Sequence, residues 1–162
     1  MSAPRVDEEI AIYNIATVFQ SHLNSKLDSI NSEKNDGITC AHVDTTNGYA
    51  IITLEEKIMN ADPILGIFIE DIRTVSLGAA SESALDLIVV VIKEDQGEDF
   101  QIQKKMLRYM RACREVIEDN YSEILTGGIL EIKNLGPRFL QGLNKTAKFR
   151  GAGISISVPV SS

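Results

Sequence analysis

The chain has 162 residues, of which 44% are apolar and 24% charged, and a net charge of −7. That length holds one domain with a substantial core, and the balance is that of an ordinary globular protein. The acidic sign argues against tight binding of free duplex DNA, and 6% aromatics with no Trp leave little for base-stacking platforms.

The negative charge is unevenly placed. Residues 1–100 hold 6 Lys/Arg and 18 Asp/Glu, or −12, whereas residues 101–162 hold 10 and 5, or +5. Such a split can orient a subunit against a charged partner. Cys40 and Cys113 form no spaced framework, so a reduced, cytosolic setting is expected. Asp7, Glu8 and Glu9 precede the apolar positions that begin at Ile10, the wrong order of charge for a signal peptide. No apolar run approaches the roughly 18 residues of a membrane span, and no membrane association is expected.

In chain order, Val6 to Ser32 reads as one long helix. Ile12, Ile15, Ala16, Phe19, Leu23, Leu27 and Ile30 recur at three- and four-residue spacing, and Asn35-Asp36-Gly37 supplies the stop. A hairpin is expected next, with Ile38–Asp44 and Tyr49–Leu54 flanking a type I′ turn at Asn47-Gly48. Residues 55–63 read as a connector. Ile64–Ile69 and Leu85–Ile92 are nearly continuous apolar runs, the pattern of strands buried on both faces. Between them, Asp71–Ala84 reads as a wide loop or strand extensions with a flexible tip. A second helix spans Glu98 to Asn120, with Ile102, Met106, Met110, Cys113 and Ile117 in one stripe. Lys104, Lys105, Arg108, Arg111 and Arg114 are expected largely away from that stripe. A short strand, Ile129–Ile132, ends at Leu135-Gly-Pro137. The closing strand alternates Ile154, Ile156 and Val158 toward the core with Ser155 and Ser157 outward, and Pro159 suggests a sheet edge.

The expected order is therefore α-β-β-β-β-α-β-β. It is a single α+β domain over residues 1–162, with a mostly antiparallel sheet packed by two long helices. Two such helices cover one face well or both partially, so a neighbouring subunit is a natural cover for the rest.

Catalytic patterns are weak. Cys40 and His42 share a strand face, but zinc needs three or four ligands at suitable spacing. There is no Gly-x-Ser-x-Gly elbow, and Glu55-Glu56, Glu70-Asp71 and Glu94-Asp95 are adjacent pairs that point apart on a strand. Gly151-Ala-Gly153 precedes a strand rather than a helix, so it is no phosphate cradle. Those glycines relieve a bend or allow close backbone approach. No catalytic residue, metal site or cofactor is expected.

The layout itself carries a resemblance. A long first helix, a hairpin and two core strands lead to Leu107-Arg-Tyr-Met-Arg-Ala-Cys-Arg-Glu-Val-Ile-Glu-Asp-Asn120, then short strands and Phe149-Arg-Gly-Ala-Gly-Ile-Ser-Ile-Ser-Val158. This resembles the tail terminator and neck (head-tail joining) proteins of long-tailed bacteriophages. The likeness lies in order and texture over most of the chain, not in a residue motif. It implies a virion structural protein forming a hexameric ring. Such a ring caps the tail tube and joins it to the neck or connector protein, and DNA passes its hole unread. The candidate assembly interface is Lys104, Arg108, Arg111, Arg138, Lys145, Lys148, Arg150, Ser155 and Ser157, with mobile loops at Arg73–Ser83 and Arg138–Gly151. The alternative is a stand-alone ligand-binding or regulatory α+β domain with no virion role.

Overall fold

The computed structural model describes residues 8–44, 49–50, 63–76, 82–94, 99–124, 131–141 and 148–161. Helix α1 spans Glu8–Lys34. Ala11, Ile15, Phe19, Leu23, Leu27 and Ile30 are buried along it, which is the three-and-four spacing of one helical face. It stops where the chain turns left-handed: Asn35 has φ 43° and Gly37 φ 80°. The Asn35 amide donates to the Asn31 carbonyl at 3.0 Å, an orphan carbonyl that needs a partner.

The expected first hairpin strand is not a strand. Residues 38–44 run extended along α1, outside the sheet. Two asparagines seven residues apart hold them there. Asn24 Nδ2 donates to the Val43 carbonyl, and the Val43 amide donates to Asn24 Oδ1, both at 2.9 Å. Asn31 repeats the pattern on Cys40, at 3.0 Å and 2.8 Å. Each side-chain amide replaces the donor and acceptor that a neighbouring strand would offer. The Asn47-Gly48 turn lies outside the described residues. Beyond it, strand β1 (Tyr49–Ala50) pairs in parallel with Leu65–Gly66.

Strands β2 (Ile64–Ser76) and β3 (Glu82–Glu94) form a long antiparallel pair, from Ile64 opposite Ile92 to Ser76 opposite Glu82. Irregularities between Ile69 and Asp71 and between Thr74 and Ser76 interrupt the ladder. Both ends of the expected loop at Arg73–Ser83 are thus paired strand, and residues 77–81 lie outside the described set.

Helix α2 spans Asp99–Ile124, with non-helical angles at Asn120 (φ −126°, ψ 19°), where the sequence pattern had also stopped. Strands β4 (Glu131–Gln141) and β5 (Lys148–Ser161) pair antiparallel. Gly136-Pro137 does not end β4. The ladder breaks register between Leu135 and Arg138, which accommodates a residue with no amide to donate, and then continues. Much of the expected loop at Arg138–Gly151 is therefore also ladder, and residues 142–147 lie outside the described set.

The sheet order is β1-β2-β3-β5-β4. The fold is α+β with a mainly antiparallel sheet, but among the described residues one fewer strand precedes α2 than the pattern suggested. The edge expectation for the closing strand is overturned: β5 lies between β3 and β4, and Pro159 stands opposite Ala84 within the ladder. Its inward facing does hold. Ala152, Ile154, Ile156 and Val158 join Leu85, Leu87, Val89 and Val91 of β3 beneath Phe19, Leu23, Met106 and Tyr109. Gly153 permits the β3–β5 approach, since a Cβ there would sit 1.9 Å from the Val89 carbonyl oxygen.

Candidate assembly surface

The basic side of α2 meets the end of α1. The two helices run antiparallel, because Lys26 Nζ reaches Asp119 at 2.7 Å while Arg111 reaches Glu33. Arg108, expected away from the apolar stripe, is instead 6% exposed. Its Nη1 donates to Asp36 Oδ1 at 3.1 Å and also to the Ile38 carbonyl, while Nη2 donates to Asp36 Oδ2. Guanidinium geometry suits this two-pronged grip on a carboxylate. The contact pins the turn after α1 to α2. The segment beyond that turn is also tied to α2 by Tyr109, whose hydroxyl donates to the Ala41 carbonyl at 2.9 Å.

The electrostatics follow the geometry. The Arg108 hydrogen bond outweighs desolvation and holds the Asp36 carboxyl down at about 2. Arg111 hydrogen-bonds Glu33 and Glu115; the Glu33 carboxyl is lowered and the Arg111 guanidinium raised. Lys104 Nζ lies 3.7 Å from Asp36, and Arg114 3.6 Å from Glu118. At Glu33 and Asp36 the acidic and basic parts of the chain meet within one copy. The charge split alone therefore demands no partner.

Lys34, Asp36, Lys104, Leu107, Arg108 and Arg111 line an open groove of about 300 Å³. Lys104 also lies 4.8 Å from the centre of the Phe100 ring, within cation–π range. Phe100 and Leu107 are exposed apolar residues on this side. Phe100, Lys104, Leu107 and Arg111 recur at four, three and four residues, the spacing of a single helical line. That spacing was the signal for Phe100 and Leu107, which charge alone did not reveal. Lys34 and Asp36 enter the groove only through the tertiary meeting of the helices.

The remaining interface candidates do not join the groove. Arg150 is half-buried on β5 and shares the sheet face of Ala152. Ser155 and Ser157 lie on the other sheet face. Ser155 is half-buried, whereas Ser157 is 8% exposed and donates to Asp86 Oδ1 at 2.6 Å. Ser157 is thus a satisfied interior hydroxyl and not an outward contact. The backbones of Arg138 and Lys148 are ladder positions opposite Gly151 and Gln141; Lys145 lies outside the described residues.

Cys40 and His42 diverge. Cys40 turns its thiol to the Lys105 carbonyl at 3.6 Å, and burial pushes it up to about 11. His42 Nε2 meets Asp28 Oδ1 at 2.6 Å on the exposed side of α1. Among the described residues, no three His, Cys, Asp or Glu side chains form a metal-binding group, and no helix is long and apolar enough to cross a membrane. No family model matches the chain, and no curated protein matches it significantly.

Proposed function

We propose that this chain is a non-enzymatic virion subunit of tail-terminator type, acting in the tail–neck region of a long-tailed phage. Six copies form a ring that caps the tail tube and meets the neck or connector protein, with DNA passing through its hole. Its work is done by surfaces. The observation that carries the reading is the sheet face turned away from the helical core. There, Phe68 on β2 and Ile88 and Val90 on β3 are only half-buried, on alternate positions to the core residues Ile67, Leu87, Val89 and Val91. A stand-alone α+β domain gains by keeping such side chains under its own layers. A ring subunit gains by closing them against neighbours. Light scattering across concentration and salt, alone and with a tail-tube protein, tests the reading. A mass of six copies is expected. A single-copy mass under every condition overturns it, and a single copy that binds a metabolite favours the stand-alone alternative.

A further inference from the structure

The two ends of α1 carry complementary surfaces that cannot meet in one copy. At its start, Glu8 and Glu9 adjoin two exposed apolar side chains, Ile10 and Tyr13, the latter 69% exposed. Ile10 and Tyr13 are three residues apart and share a face. At its end lies the groove of Lys34, Lys104, Leu107 and Arg111, flanked by Phe100. One surface is acidic and apolar, the other basic and apolar. Four cations line the groove against Asp36. Glu33 and Glu115 offset Arg111 from the rim, and the balance stays positive. From Tyr13 to Lys34 is 21 residues of helix, or roughly 30 Å at 1.5 Å per residue.

We propose that the start of α1 in one copy docks in this groove of the next copy. Tyr13 packs on Leu107 and Phe100, and Glu8 and Glu9 face Lys34 and Lys104. The inference rests on the ring reading above and specifies its contact. Joining different patches of identical copies is a head-to-tail interface, which generates a ring when its rotation closes. Exposed ion pairs add little individually, so the aromatic anchor carries the affinity and the charges set the register.

The test is a chain carrying Tyr13→Cys and Leu107→Cys. The two positions are far beyond disulfide reach within one copy, so any bond between them joins two copies. Cys40 and Cys113 are both buried and do not compete. Mild oxidation is expected to give a ladder of linked copies on a non-reducing gel, ending at the ring size. Each single-cysteine chain gives dimers at most. In parallel, Tyr13→Ser should weaken assembly at least tenfold by mass photometry without changing the melting temperature. Glu8→Lys with Glu9→Lys should weaken it too, and adding Lys34→Glu and Lys104→Glu to the same chain should restore it. If the unmodified chain assembles but forms no ladder and tolerates Tyr13→Ser, this contact is wrong while the ring reading stands. If the unmodified chain never assembles, both fall.

Discussion

Removing the amide of Asn31 tests whether the segment after α1 is held by side chains acting as a surrogate strand. Asn31→Ala removes two hydrogen bonds, from Nδ2 to the Cys40 carbonyl and from the Cys40 amide to Oδ1. Two ordinary hydrogen bonds contribute about 0.5–1.5 kcal/mol each, and leaving both Cys40 backbone groups poorly partnered raises the cost to about 2–4 kcal/mol. In a protein of this size that is a fall in melting temperature of roughly 5–12 °C. Asn31→Asp should cost at least as much, because it keeps the acceptor but sets a carboxylate against the Cys40 carbonyl. Chemical denaturation measures the total. The cysteines separate local from global loss. Cys40 belongs to the held segment, whereas Cys113 is fully buried in the core with its thiol pushed up to about 12. Each ~1.4 kcal/mol lost from local opening should speed thiol labelling of Cys40 about tenfold. Cys113 should stay protected until global unfolding. A cost below ~0.5 kcal/mol, or equal acceleration at both cysteines, refutes the surrogate-strand reasoning.

Three further outcomes follow from the packing and the charges. Gly153→Ala forces a Cβ into the Val89 carbonyl and should cost about 3 kcal/mol or more, the top of the usual overpacking range, by urea titration. Ile156→Asp and Ser157→Lys should both destabilise by several kcal/mol in thermal melts, since both positions are buried; a folded, unchanged Ser157→Lys chain would contradict the central placement of β5. The Asp36 carboxyl is lower in the folded chain, at about 2, than its ordinary 3.8. Its contribution is present above that ordinary value and is lost as pH falls toward 2. Asp36→Asn should therefore flatten the acid limb of stability against pH, and an unchanged limb would show that the Arg108 contact is not formed in solution.

Much of the local structure was legible because it obeys one period. The α1 face and the α2 stripe of Ile102, Met106, Met110, Cys113 and Ile117 repeat at helical spacing; Met110 is partly buried against the core and the other four α2 residues are buried. The alternation of Ile154, Ile156 and Val158 gave their facing but not their neighbours. Strand order depends on pairings far apart in sequence, so an inward-facing strand reads alike at an edge or in the middle. Residues 38–44 misled for a related reason. Two strand-like stretches flanking Asn-Gly are the signature of a hairpin, yet the partner of residues 38–44 is a pair of asparagine side chains on a helix. The burial of Arg108 escaped notice because a charge is expected in solvent, and its partner Asp36 lies 72 residues earlier. Of the candidate surface, the basic helix was legible from Lys104, Arg108 and Arg111. Its exposed apolar members, Phe100 and Leu107, sat unremarked on the same helical line.

The most direct measurement is electron microscopy of the purified chain in negative stain, alone and mixed with a tail-tube protein. Rings of six copies around a central hole, seated on tube ends in the mixture, are expected. A uniform field of single copies at high concentration, unchanged by the tube protein, would contradict the ring-subunit function.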